Sequence, residues 1–144
     1  MTTVRDVLDR KGRDVFAVGP EASVYRALEL MSEKHVGALM VLDGDRRLIG
    51  VVSERDYARK IALQGRSSKE TPVSDIMTTR LFSVTPSQAI EECMALMTER
   101  GVRHLPVLDG ERLEGVISIG DVVKSKLSHQ EFIIGQLEHF IAGR

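Results

Sequence analysis

The sequence predicts an α+β protein of two pseudo-symmetric β-α-β-β-α repeats packed sheet to sheet, followed by a C-terminal helix. The first observation behind this is a duplication: Gly50-Val51-Val52-Ser53-Glu54-Arg55-Asp56 returns as Gly115-Val116-Ile117-Ser118-Ile119-Gly120-Asp121. Around it Val18, Pro20, Met31, Val36, Leu39, Val41, Asp43 and Gly44 recur 66 positions later as Val84, Pro86, Met97, Val102, Leu105, Val107, Asp109 and Gly110. The offset drops by one after Arg47, as a single deletion in a turn would cause. Internal repetition of this kind governs the whole fold. The second observation is that each copy alternates short apolar runs with helix-spaced apolar stripes. The third is a helical stripe after the second copy that has no counterpart in the first.

In chain order, Val4-Arg5-Asp6-Val7-Leu8 reads as a lead-in helical turn, echoed by Val73-Ser74-Asp75-Ile76-Met77 before the second copy. Val15-Phe16-Ala17-Val18 is a short strand. Val24, Ala27, Leu28, Met31 and His35 then follow helical spacing, and Ile90, Cys93, Met94 and Met97 repeat that stripe. Thr85-Pro86-Ser87-Gln88 signs the second helix start with an N-cap, a first-turn proline and a reach-back glutamine, whereas the first start, Gly19-Pro20, keeps only the proline. Ala38–Leu42 and Leu48–Val52 flank an Asp-Gly turn, a hairpin signal. The second copy repeats it with Leu105–Leu108 and Leu113–Ile117, where Pro106 costs a ladder hydrogen bond and places its strand at a start or an edge.

These elements divide the chain into a first repeat at 1–64, a polar linker at 65–72, a second repeat at 73–127 and a C-terminal helix at 128–144. Each repeat, at about 60 residues, is too small to bury enough surface alone, so the pair is expected to act as one domain. Ser128-His129-Gln130-Glu131 offers a capping box for the last helix, whose stripe is Ile133, Ile134, Leu137, Phe140 and Ile141, ending before Gly143.

The 20 Lys and Arg residues against 21 Asp and Glu argue against nucleic acid as a partner. No stretch approaches the roughly 20 apolar residues of a membrane span, and no signal core opens the chain. With Cys93 as the one cysteine, a cytoplasmic protein is expected. His35, His104, His129 and His139 do not fall at metal-ligand spacing, so no metal is expected. No side chain has the neighbours of a nucleophile or an acid-base catalyst, so no catalytic residue is assigned.

The chemistry concentrates in the repeated Gly-h-h-Ser-x-x-Asp, where h is apolar and a buried strand gives way to a helix. The first N–H groups of a helix suit a phosphate. Ser53 and Ser118 can add a hydroxyl, and Asp56 and Asp121 can accept hydrogen bonds from a ribose diol. Gly50 and Gly115 leave room for close approach, and Arg55 can pair with phosphate oxygens. Ser-x-x-Asp is equally an ordinary capping box, so a cap and a ligand site both remain open for each copy.

The duplicated motif, the order of elements and Val102-Arg103-His104-Leu105-Pro106-Val107 resemble the tandem cystathionine β-synthase (CBS) domain pair, or Bateman module, of stand-alone bacterial signal-transduction proteins. That resemblance implies a non-catalytic regulatory module binding an adenosine-containing ligand: AMP, ADP, ATP, S-adenosylmethionine or NAD. It implies composite sites, with ribose and phosphate contacts from one copy and an adenine pocket from the other. Ser118 and Asp121 would work with Val15, Phe16, Val36, Gly37 and Ala38. Ser53, Arg55 and Asp56 would work with Leu81, Phe82, Val102, Arg103, His104 and Pro106, in the cleft expected to take the more anionic ligand. A homodimer and a protein effector are implied as partners. The alternative is an interaction scaffold whose motifs serve only as caps.

Overall fold

The structure, a computed structural model, describes residues 1–141, with side chains through 139. In chain order its elements are α1 (Val4–Lys11), β1 (Ala17–Val18), α2 (Val24–Lys34), β2 (Ala38–Leu42), β3 (Leu48–Ser53), α3 (Glu54–Tyr57), a π turn (Ala58–Ala62), a 3-10 turn (Val73–Asp75), α4 (Ile90–Arg100), β4 (His104–Asp109), β5 (Arg112–Ser118) and α5 (Ile119–Ile141). They form two compact units: Asp14–Phe82, and a terminal unit joining Met1–Arg13 to the chain from Ser83 onward.

These units are not the repeats as they read along the sequence, because each lead-in segment packs with the other copy. Thr3 bridges Ala89 in the terminal unit, and Ser23 bridges Pro72 in the 14–82 unit. The core follows this exchange. Val24, Ala27, Met31, Leu39, Val41 and Val52 cluster with Val73 and Ile76. The equivalent Ile90, Cys93, Met97, Leu105, Val107 and Ile117 of the terminal unit are buried, as are Val4 and Val7 of α1. Apolar residues at equivalent places in both copies therefore each found a core, the main source of stability for units this small.

In the 14–82 unit β1 lies parallel to β2, and β2 antiparallel to β3 with Ala38 opposite Ser53. The hairpin turn is tied by Asp43, whose Oδ1 accepts the amides of Asp45 and Arg47 at 2.9 Å each, the local bonding for which turns favour aspartate. In the terminal unit β4 pairs with β5 alone. The reason is Pro106. In the first copy the Met40 amide, at the equivalent position, donates to the Phe16 carbonyl at 3.1 Å and holds β1. Proline has no such hydrogen, and the third strand shrinks to a single bridge, Val84 to Val107. Pro106 sits inside β4 rather than at its start, paired with Val116.

Both helices after the first strands start later than the sequence signals suggest. α2 is capped by Ser23, whose Oγ accepts the Arg26 amide at 3.0 Å, not by the Gly19-Pro20 turn. α4 begins at Ile90 with Ala89 as an N-cap that makes no side-chain bond, although the Gln88 side chain still reaches back to the Thr85 amide at 2.8 Å. The lead-in exchange explains both shifts: Val24 donates to Thr71 O and Ile90 to Thr2 O, so the backbone is committed to extended pairing until those residues. For the same reason the stretch 65–72 is structured. Thr71 is buried, and its Oγ1 donates to Ser67 O at 2.7 Å.

The C-terminal helix is the plainest departure. No new helix starts at Ser128; α5 runs unbroken from Ile119. A capping-box pattern starts a helix only where the preceding chain has left helical geometry, and nothing between Asp121 and Ser128 is glycine or proline. Val122 and Ser125 face the unit's interior, whereas every residue from Leu127 to His139 is exposed. The side chains of Phe140 and Ile141 and the expected end at Gly143 lie outside the described residues.

Candidate functional site

Each repeated motif closes a reciprocal cap at the end of its unit's last strand. In the first, the Ser53 amide donates to Asp56 Oδ2 at 2.9 Å and Ser53 Oγ accepts the Asp56 amide at 3.2 Å; the Ser53 hydroxyl also reaches Oδ2 at 3.1 Å. In the second, the Ser118 amide donates to Asp121 Oδ2 at 2.8 Å and Ser118 Oγ accepts the Asp121 amide at 3.2 Å. The next amides, of Glu54 and Ile119, donate to Gly37 O and Arg103 O at 3.0 and 2.9 Å. Several of the donors expected to cradle a phosphate are thus already used. What each motif leaves at its strand end is a largely covered carboxylate and its surroundings.

Those surroundings contain a cation that the motif does not announce. Lys11, the last residue of α1, donates to Asp121 Oδ2 at 2.6 Å and to Val116 O at 2.7 Å. Lys60, in the π turn, lies 3.2 Å from Asp56 Oδ1 and donates to Ile76 O at 2.8 Å. Thr78 Oγ1 donates to Asp56 Oδ1 at 3.4 Å. Lys60 was legible as the partner one helical turn after Asp56; Lys11 is 110 residues from Asp121 and gave no local signal.

The motif glycines serve packing within their own units. A Cβ on Gly50 would lie 2.6 Å from Met77 Sδ, and one on Gly115 would lie 2.8 Å from Leu8 Cδ2. The space beside each glycine is taken by an equivalent residue of the two lead-in segments.

Of the other expected site residues, His104 stands opposite Ser118 and Ala38 opposite Ser53. Arg103 and His104 therefore share a unit with Ser118 and Asp121, and so do Val102 and Pro106. Arg55 shares one with Ser53 and Asp56, together with Val15, Phe16, Val36, Gly37, Leu81 and Phe82. Val15, Phe16, Val36, Leu81, Phe82 and Val102 are half-buried, Ala38 and Pro106 buried, and Arg55 and Arg103 exposed. Lys34 Nζ lies 5.4 Å from the centre of the Phe16 ring, and the Arg80 guanidinium 5.8 Å from that of Phe82.

Burial pushes the Asp121 carboxyl up, but the Lys11 ammonium and the Ser118 hydrogen bonds outweigh it and hold it below the ordinary aspartate value. Burial lowers His104, and Lys11 and Arg103 add to that against the pull of Asp121, so the ring is neutral at pH 7. Cys93 is buried, and its thiol is pushed up to about 11, which leaves it a core side chain and no nucleophile. Among the described residues no group of His, Cys, Asp and Glu could hold a metal ion, and no helix is long and apolar enough to cross a membrane.

The geometry agrees with the comparisons. The CBS domain profile matches this chain twice, at residues 3–63 and 73–128. Among curated proteins, the CBS domain-containing protein CBSX3, mitochondrial, of Arabidopsis thaliana is 39% identical over 99% of this chain and 73% of its own. YhcV of Bacillus subtilis, another CBS domain-containing protein, is 32% identical over 90% of this chain and 89% of its own. A solved signal-transduction protein with CBS domains from Burkholderia ambifaria superposes with a TM-score of 0.87 at 55% identity, covering 90% of this chain and 96% of that one. CBS domains of this kind are regulatory modules. The duplicated strand-to-helix motif, its paired caps and these matches make one statement: the chain belongs to the CBS-domain family and carries two copies of the domain.

Proposed function

We propose that this protein is a non-catalytic, cytoplasmic regulatory module that binds an adenine nucleotide, AMP, ADP or ATP before NAD or S-adenosylmethionine, and passes its occupancy to a protein effector. The observation that carries this reading is the pair of half-buried carboxylates, Asp56 and Asp121, each beside a lysine ammonium at the end of a β-strand. Carboxylate plus cation is the donor and acceptor set that a ribose phosphate requires. Ribose and phosphate are assigned to Ser53, Arg55, Asp56, Ser118, Asp121, Arg103 and His104, with Arg103 and His104 completing the site of Ser53, Arg55 and Asp56 as the sequence reading has it. Adenine is assigned to the apolar walls named for it in the sequence. The mechanism is linkage: a ligand that favours one arrangement of the chain shifts its population, and the effector reads the shift.

The reading includes self-association through α5. Leu127, Phe132, Ile133, Ile134 and Leu137 are 44–64% exposed along the second half of α5, and a helix without packing on its apolar face is marginal in water. We infer that a second copy covers this face, because the apolar side chains of both would then leave water.

A second reading, the interaction scaffold, is favoured by the completeness of both capping boxes, which alone would account for serine and aspartate. A thermal-shift panel with AMP, ADP, ATP, NAD and S-adenosylmethionine separates the two. A ligand at 100 times its dissociation constant adds about 2.7 kcal/mol, roughly 5 to 10 °C for a chain of this size. No shift with any of the five leaves the scaffold.

A further inference from the structure

Two lysines from unrelated places meet the two equivalent aspartates. Lys11 comes from the end of α1 and Lys60 from the π turn after α3; the repeat offsets place Arg80 and Ser125, not lysine, at their counterparts. Yet each ammonium does the same two things, bonding the motif carboxylate and a main-chain carbonyl. Both lysines are about a third or more exposed, at 32% and 40%, and their aspartates less so, at 21% and 13%. Each pair therefore has its anion toward the protein and its cation toward solvent. Neither cap needs the lysine, because the serine and aspartate close it by themselves.

We propose that Lys11 and Lys60 are exchangeable counter-ions that make the motif sites select phosphorylated adenosine over adenosine. This rests on the nucleotide reading and adds the selectivity to it. In the unliganded chain the ammonium neutralises a half-buried carboxylate that would otherwise be costly to leave unpaired. For that carboxylate to accept a ribose diol, the ammonium has to give up its bond. A nucleoside monophosphate offers the ammonium a new anion as it takes the carboxylate, so both charges stay paired. Adenosine breaks the same pair and offers nothing in return. The lysine thus opposes the nucleoside and favours the nucleotide, and its removal should move the two affinities in opposite directions.

The test titrates AMP and adenosine separately into the full chain and into Lys11→Met, Lys60→Met and the double variant. Methionine keeps the apolar stem and removes the charge. Lys11→Arg and Lys60→Arg serve as charge-keeping controls, and melting curves establish that each variant folds. The expected result is a fall in the AMP-to-adenosine affinity ratio of about tenfold or more for each occupied site, the size of one charge-assisted hydrogen bond. Adenosine should bind as well as before or better, and arginine should restore the ratio. A purely structural lysine would lower melting temperature and weaken both ligands together with the ratio unchanged, and that outcome overturns the inference. If the wild-type chain binds neither AMP nor adenosine, the nucleotide reading itself fails, a result distinct from binding with an unaltered ratio.

Discussion

Leu8 of α1 fills the space that a side chain on Gly115 would need: a Cβ there would lie 2.8 Å from Leu8 Cδ2 and 3.3 Å from Cδ1. The glycine is sterically required, and its backbone is not in the left-handed region. Gly115→Ala should destabilise the protein by about 1–3 kcal/mol through overpacking, and Leu8→Ala by about 2–5 kcal/mol through a cavity. The double variant should cost clearly less than the two together, since the new methyl occupies the space vacated. Urea unfolding of the four proteins checks this; strict additivity would mean that the two residues do not share that space.

Ala89 occupies the N-cap of α4 without a side-chain bond, where the equivalent Ser23 caps α2. Ala89→Ser should stabilise the protein by roughly 0.5–2 kcal/mol, and Ser23→Ala should cost a similar amount. Thermal unfolding reads both.

Much of the fold was legible because it depends on spacing. Both hairpins, both helix stripes and the order of elements followed from the periodicity of residues such as Val24, Ala27 and Met31, which needs only local sequence. What escaped was set by distant chain. The late starts of α2 and α4 come from pairing with Thr71 and Thr2, and the partner exchange of the lead-in segments cannot be read from two copies that look alike. The late cap at Ser23 was within reach, since serine one residue before the first stripe position is an ordinary start signal. At the site the serines and aspartates were visible as a motif. Lys11 was not, because only tertiary structure brings α1 to Asp121.

The neutral His104 sets a pH dependence. Its folded value lies below the ordinary histidine value near 6.5. Below that pH the unfolded chain takes up more protons, so stability is full above about pH 6.5 and falls as the pH drops toward the folded value. Asp121, also lowered, adds a further loss only as the pH falls through and below the carboxylate range. His104→Gln should flatten the decline just below about pH 6.5 while leaving the more acidic loss. A melting-temperature profile from pH 8 to 3 checks both parts, and an unchanged slope in the variant would remove His104 as its source.

The exposed stripe of α5 should hold two copies together. Wild-type protein is expected to run as a dimer in light scattering coupled to size exclusion, and Ile134→Lys with Leu137→Lys as a monomer. Since both residues are exposed, the melting temperature of the variant at low concentration should stay close to that of equally dilute wild type. A monomeric wild type contradicts the pairing.

Asp56 and Asp121 are proposed to hold the ribose of an adenine nucleotide. Calorimetric titration of AMP into the wild-type chain and into Asp56→Asn with Asp121→Asn tests it most directly, because asparagine keeps the side chain's size and a cap-forming oxygen while removing the charge. Saturable binding to the wild type is expected, weakened at least about a hundredfold in the double variant, whose melting temperature should fall by no more than a few degrees. Equal AMP affinity in the two proteins would contradict it.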